Sequence, residues 1–329
     1  MIKNLFENNT LYLCQVSLKG NIPIIIENYE NFRKFYKKVK IFVICPKKEI
    51  NTFKRKINRK DITILSEDKI LTFFNFKKIF QKYSFKYPHK TLFNSRLKWY
   101  YQQILKLSFT IYFIGKFKKD MVIWDADTLL IKKIDFFKDS YSIKYGTPFE
   151  FHKSYFETNE KIIQTKPKNF LSFLTQFSAI SYNEFLNIKK KLKISSTSLK
   201  YISNKLSKKI LHAILKINRA YNGSLFSEYE LIGTINYSLR PCMQKSLMTL
   251  RKGLSGKLTK KQIFFLSLID IIHVTYEHTY NNKNSRGMLN RKHKWHKLLK
   301  LVIKKYFRYF VKTFKYYLIF KLKNIYSFL

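Results

Sequence analysis

Acid is scarce in this chain: 20 Asp and Glu stand against 65 Lys and Arg in 329 residues, a formal net charge of +45. Cysteine is scarcer still. Cys14, Cys45 and Cys242 are the 3 in the chain; they form no CxxC, which excludes a disulfide scaffold and a Cys-rich zinc site. No run reaches the roughly 18 uncharged apolar residues of a membrane span; the nearest, Leu107–Gly115 and Ile263–Ile269, are too short. The N-terminus, Met1-Ile2-Lys3-Asn4-Leu5-Phe6-Glu7, has no apolar stretch ending in a small-residue cleavage site. The chain is therefore read as cytoplasmic, with membrane contact only at a surface, on the inner membrane face. GxGxxG and GxxxxGK[ST] are missing, which argues against a standard Rossmann dehydrogenase and a P-loop ATPase. HExxH and GxSxG are missing too.

What is present is apolar and aromatic. Hydrophobic residues make up 46% and aromatics 17%, too much to leave the chain disordered. Lys, Asn, Ile, Phe and Tyr abound while Gly and Pro are rare, the usage expected of AT-rich coding DNA. The charge alone therefore singles out no specific nucleic acid. A basic surface still attracts polyanions, whether anionic lipid or phosphate-bearing substrate.

The first half alternates in type. Leu11–Val16, Lys40–Cys45 and Ile62–Leu65 read as strands, with a polar helix over Asn28–Lys38. Such alternation predicts βαβ units and a mostly parallel sheet. Trp99–Lys116 is apolar on most sides and reads as a buried helix. Met121–Trp124 is a fourth strand running into Asp125-Ala126-Asp127. Ser140–Tyr145 and Phe149–His152 are strand candidates. Phe170–Ile180 fits helix or strand, and Gln262–His273 fits a strand or a short buried helix. Glu184–Lys193, Ile202–Asn218 and Ser227–Tyr237 read as helices.

The few carboxylates fall into a pattern. Two pairs stand at i, i+2: Asp125/Asp127 and Glu228/Glu230. At the carboxyl end of a parallel strand the chain opens into a ligand crevice. Two carboxylates there can hold a divalent cation that keeps positions for phosphate oxygens; they can also simply start a surface turn. Ser227 followed by Glu230 spells a capping box, which leaves Glu228 to complement the helix dipole or to act as a general base. Gln102, Gln103 and Lys106 lie inside an apolar helix, a costly place unless they are paired. Lys106 either sits at the edge of a phosphate crevice or sends its amine to water. His273 reads as the last residue of a strand, either a third metal ligand or a core or rim histidine. His152 and His278 are weaker candidates, and His293 and His296 are expected to be solvated.

Residues 291–329 hold 12 Lys and Arg and no acid. Trp295, Leu299, Val302, Tyr306, Phe310, Phe314 and Tyr317 recur at helical spacing, with Lys297, Lys300, Lys304, Arg308, Lys312 and Lys315 on the other side. This is a basic amphipathic helix. It can lie on an anionic membrane surface through residues 291–323, or pack on its own domain or a partner.

Taken in order, Trp99-Tyr100-x-Gln102-Gln103-x-x-Lys106-Leu107, then Val122-x-x-Asp125-x-Asp127, then Ser227-Glu228-Tyr229-Glu230-Leu231-x-Gly233 resemble a family of bacterial predicted glycosyltransferases of the GT-A type. The resemblance covers roughly residues 8–280. It implies an α/β, GT-A-like single large domain over 1–280, with a mixed, mostly parallel sheet flanked by helices; to this the composition adds a C-terminal basic amphipathic helical tail over 281–329. It implies a nucleotide-sugar donor, a glycan or glycolipid acceptor such as a surface polysaccharide or lipopolysaccharide, and Mn²⁺ or Mg²⁺. Under it, Asp127 is the direct metal ligand and Asp125 faces the ribose or the metal; His273, taken from the residues alone, is the further metal candidate. Gln102, Gln103 and Lys106 belong to the donor side, with Lys106 stabilising the leaving diphosphate. Glu228 and Glu230 lie on the acceptor side as candidates for the base. Two departures stand out: no His occurs near Gln176-Phe177-Ser178, and Ile232 replaces a Tyr before Gly233. A non-catalytic membrane scaffold with a degenerate core and a Lys-rich nucleic-acid binder are the competing readings.

Overall fold

The structure is a computed structural model that describes residues 10–84, 93–147, 151–164, 172–217, 224–237, 244–246, 248–251, 254, 256–276 and 292–326. The strands are β1 (Thr10–Val16), β2 (Lys38–Cys45), β3 (Ile62–Ser66), β4 (Met121–Trp124), β5 (Thr128–Leu130), β6 (Phe137–Lys138), β7 (Tyr141–Ser142), β8 (Lys144–Gly146), β9 (Phe177–Ile180), β10 (Gln244–Ser246), β11 (Thr249–Arg251) and β12 (His273–Thr275). The α-helices are α1 (Ile22–Phe35), α2 (Ile50–Lys56), α3 (Phe73–Ser84), α4 (Phe93–Phe117), α5 (Lys153–Ile163), α6 (Tyr182–Leu192), α7 (Leu199–Leu215), α8 (Glu228–Tyr237), α9 (Lys260–Leu268) and α10 (Trp295–Tyr326).

The main sheet has the order β3-β2-β1-β4-β9. Its first four strands are parallel, and β9 runs antiparallel to β4, with Met121 opposite Ile180 and Trp124 opposite Phe177. Parallel strands bury both faces and so read as continuous apolar runs. In β1, Tyr12, Cys14 and Val16 join one core with Ile104 and Phe113 of α4 and Leu206 and Ile210 of α7. Leu13 points the other way, into a second core with Val122, Trp124 and Ile25 and Phe32 of α1. α4 is buried against its sheet face and other helices, which is why its sequence shows so little helical period.

A smaller sheet, β11-β12-β5, continues from the end of β4. Its core joins Leu129 and Val274 to Leu266 of α9 and to Leu298 and Val302 of α10. Two asparagines of α1 hold it in place. Asn28 Oδ1 accepts from Leu130 N at 2.9 Å, and Asn31 Nδ2 donates to Leu130 O at 2.8 Å.

Several expectations need correction. The first helix begins at Ile22, six residues before Asn28, because Pro23 favours a helix start; Lys38 already belongs to β2. Phe170–Ile180 resolves to strand at Phe177–Ile180. Ser140–Tyr145 splits between β7 and β8, and His152 precedes α5 rather than ending a strand. In 262–273 a helix comes first, capped by Thr259 and Gln262, and His273 opens a strand rather than closing one. The boundary expected at 280/281 falls outside the described residues.

Candidate active site

The strand order has a topological switch point between β1 and β4. β1, β2 and β3 step outward on one side, and β4 then lands on the other side of β1. At such a switch point, the loops after neighbouring strands diverge and leave a cleft at their carboxyl ends. Asp125-Ala126-Asp127 stands at that end of β4.

The segment is a held turn. Thr128 N donates to Asp125 O at 3.0 Å, and Trp124 Nε1 donates to Thr128 O at 2.8 Å. From one side Asp125 N donates to Gln176 O at 2.9 Å; from the other Tyr276 N donates to Asp127 O at 2.9 Å. Gln176 takes a left-handed backbone, φ 61°, an uncommon state for a non-glycine residue. That conformation is maintained where its carbonyl holds Asp125. In the amide orientation that satisfies its neighbours, Gln176 Oε1 accepts from Arg251 Nη1 at 3.1 Å and Nε at 3.2 Å.

Beneath the turn lies a charged network. The Lys106 ammonium donates to Asp125 Oδ1, to Glu228 Oε1 at 2.9 Å and to Tyr229 OH at 3.3 Å. Tyr229 OH donates to Asp125 Oδ1 at 2.6 Å. With its amide turned to suit its partners, Gln103 donates to Glu228 Oε2 at 3.2 Å and to Phe226 O at 3.1 Å. Gln102 Nε2 donates to Val16 O at 3.4 Å, which ties α4 to the end of β1. The Lys and the two Gln of the apolar helix are therefore all partnered.

Depth separates the roles. The Asp125 side chain is 24% exposed, against 5% for Lys106 and 2% for Glu228. Asp127 is also partly exposed. Lys106 is thus buried, and its amine reaches carboxylates rather than water, a correction to one of the two sequence readings. Burial alone would pull its pKa down, but the carboxylates of Asp125 and Glu228 reverse this and hold it as a cation. Burial raises the pKa of Glu228, Lys106 opposes the rise and Asp125 adds to it. The Tyr229 hydroxyl is pushed well above its ordinary range by burial and by the same two carboxylates, so it stays a donor. Cys14, next to this network, is an inert thiol, raised to about 12 by burial.

Glu230 serves the backbone. Its Oε2 accepts from Ser172 Oγ at 2.7 Å and from Phe173 N at 3.0 Å, which fixes the chain leading into β9. Gly233 belongs to the same contact: a Cβ there would lie 2.1 Å from the Phe173 ring, so the segment needs glycine for close approach. Glu228 and Glu230 are 1% and 0% exposed, so neither offers a carboxylate to an acceptor in this conformation.

His273 does not join the two aspartates. It is fully buried, with its ring edge-on to Trp124 and Phe177 at centroid distances of 5.8 and 5.9 Å. Among the described residues, no group of three or more His, Cys, Asp and Glu is gathered where it could hold a metal ion. The expected set of Asp125, Asp127 and His273 reduces to its two carboxylates. The His152 ring lies 4.8 Å from that of Tyr155, tilted by 44°, and His278 lies outside the described residues. His293 is buried rather than solvated, and its carbonyl accepts from Gln262 Nε2 at 2.8 Å. Sequence reasoning missed Arg251, Gln176 and the hydroxyl of Tyr229; a left-handed glutamine and a lone Arg carry no local signal.

Comparison with known proteins adds the following. Mouse xyloside xylosyltransferase 1, in its apo form, is similar over 87% of this chain and 95% of its own, at 8% identity and a TM-score of 0.34. Galactosyltransferase LgtC, in complex with donor and acceptor sugar analogs, is similar over 88% of this chain and 95% of its own, at 7% identity and a TM-score of 0.41. No curated protein matches the chain. Residues 20–243 match a family of unknown function, DUF6492, and the chain belongs to that family.

Proposed function

We propose that the crevice at the ends of β1 and β4 takes the diphosphate of a nucleotide-sugar donor, and that the protein transfers the sugar to a glycan or glycolipid acceptor. The observation that carries this reading is the Asp125–Thr128 turn: two partly exposed carboxylates held at a topological switch point above a buried ammonium. The resemblance of the three motifs to GT-A enzymes points the same way.

The donor set suits a hard divalent cation. Two carboxylates with few other protein ligands are the usual holding for Mg²⁺ or Mn²⁺ where substrate phosphate completes the shell. Asp125 and Asp127 would hold it, and the cation would supply neutralising charge to the leaving nucleoside diphosphate. The chain's own residues do the rest. Lys106 and Tyr229 both bond Asp125 Oδ1 and so fix the rotation of that carboxylate. Glu228 in turn fixes Lys106, and Gln103 fixes Glu228. Lys106 and Glu228 are therefore positioning residues in this reading, with Lys106 adding positive potential below the diphosphate.

The test is nucleoside diphosphate release from UDP-, GDP-, CDP- and ADP-sugars in the presence of Mn²⁺. One nucleotide class is expected to be consumed, with the rate falling at least about 100-fold in Asp127→Ala. No release from any donor, or release unchanged in the variant, contradicts the proposal.

A further inference from the structure

The first turns of α10 present three sectors. Successive residues of a helix turn by about 100°. Leu298 and Val302 form a seam packed into the smaller core. Beside that seam Leu299, Ile303, Phe307 and Phe310 form a second stripe; it is exposed, with Ile303, Phe307 and Phe310 at 67%, 69% and 70%. Beyond it lie Lys297, Lys300, Lys304 and Arg308, all exposed. The seam accounts for the docking of the helix, and the exposed stripe is additional to it.

α9 adds to this surface. Its Phe264 and Leu268, one turn apart, are 65% and 66% exposed. Two contacts hold the helices side by side: the Phe265 and Trp295 rings lie 5.7 Å apart, and Tyr306 OH donates to Ile269 O. A monomeric soluble protein rarely leaves such a run of large apolar side chains in water.

We infer that the exposed stripe of α10, with Phe264 and Leu268 of α9, is a docking surface for an anionic lipid bilayer. Charge selects this occupant. A second copy would bring another lysine-rich helix without acid against the first, in a protein of net charge +45. A nucleic acid would suit the lysines but not the aliphatic Leu299 and Ile303. An anionic bilayer offers acyl chains to the apolar stripe and headgroup phosphates to the cationic edge next to it. Among the described residues no helix is long and apolar enough to cross a membrane, so the contact is one of lying on the surface. The inference stands apart from the proposed transfer reaction.

The experiment is co-flotation of the full chain with vesicles of phosphatidylcholine alone or mixed with phosphatidylglycerol. Wild type is expected to float with the anionic vesicles only. Partitioning should fall at least about tenfold in Ile303→Ser/Phe307→Ser/Phe310→Ser, and also in Lys297→Gln/Lys300→Gln/Lys304→Gln/Arg308→Gln. The replaced side chains are exposed, so both variants should melt with wild type; should the triple serine variant melt early, Phe307→Ser alone gives the same reading with a smaller loss. Brominated phosphatidylglycerol should quench Trp295, and that quenching should vanish in Trp295→Phe. Three outcomes overturn the inference: serine variants that bind like wild type, which would mean adsorption by charge alone; equal binding to neutral vesicles; or a wild-type dimer in light scattering that the serine variant dissolves.

Discussion

Replacing Lys106 by methionine is expected to lower stability at pH 7 by about 3–5 kcal/mol, the cost of removing one partner from a buried ion cluster. Lys106 is 4% exposed and its ammonium faces two carboxylates and a tyrosine hydroxyl. Methionine fills similar volume, so the loss comes from electrostatics rather than from a cavity. It leaves Glu228 buried without a cation beside it, and adds its repulsion to Asp125. A second substitution separates these causes. Lys106→Met with Glu228→Gln removes the uncompensated buried charge, and the double variant should recover most of the lost stability. Urea denaturation midpoints of wild type, both single variants and the double variant measure this. A cost below about 1 kcal/mol for Lys106→Met, or strict additivity across the cycle, contradicts the network described here.

His273 makes acid the enemy of this fold. Burial drives its pKa from 6.5 down to about 3, with the Thr175 backbone acting the other way. Between those two values the unfolded chain binds a proton that the folded chain refuses. Stability is therefore unaffected by this group above pH 6.5 and is lost as pH falls from 6.5 towards 3. At about 1.4 kcal/mol per pH unit the full loss is about 5 kcal/mol. His273→Phe keeps an aromatic ring against Trp124 and Phe177 but cannot titrate. Thermal unfolding from pH 7 to 4 should therefore fall less steeply in His273→Phe than in wild type. Equal slopes would mean that His273 finds a way to protonate within the fold.

How much of this was legible in the sequence depends on the range of each interaction. The apolar runs of β1 to β4 announce themselves because both faces of a parallel strand are buried. The Asp pair at the end of β4 follows from the run before it. The pairing of Lys106 was legible as a need, since an unpaired ammonium in an apolar helix is costly; its partners were not. Glu228 lies 122 residues away, and no spacing encodes a contact of that length. The role of Glu230 was hidden for a similar reason. A capping box is a local pattern, but its Oε2 is spent on Ser172 and Phe173, 58 and 57 residues back. β9 was ambiguous because four residues on the far side of β4 carry no sign of direction. The amphipathic tail was visible as a pattern, yet the pattern does not divide its apolar residues into a docked seam and an exposed stripe; only the neighbouring α9 and the smaller core do that.

The central claim is that the Asp125–Thr128 turn is a nucleotide-diphosphate site. Its most direct test is the melting temperature of wild type and Asp127→Ala with UDP, GDP, CDP or ADP, each with and without Mn²⁺, because a ligand that binds only the folded state raises that temperature by mass action. One nucleotide is expected to raise it in wild type, only with the cation, and to leave Asp127→Ala unmoved. A panel in which no nucleotide moves wild type, or in which the variant responds as wild type does, would contradict the claim.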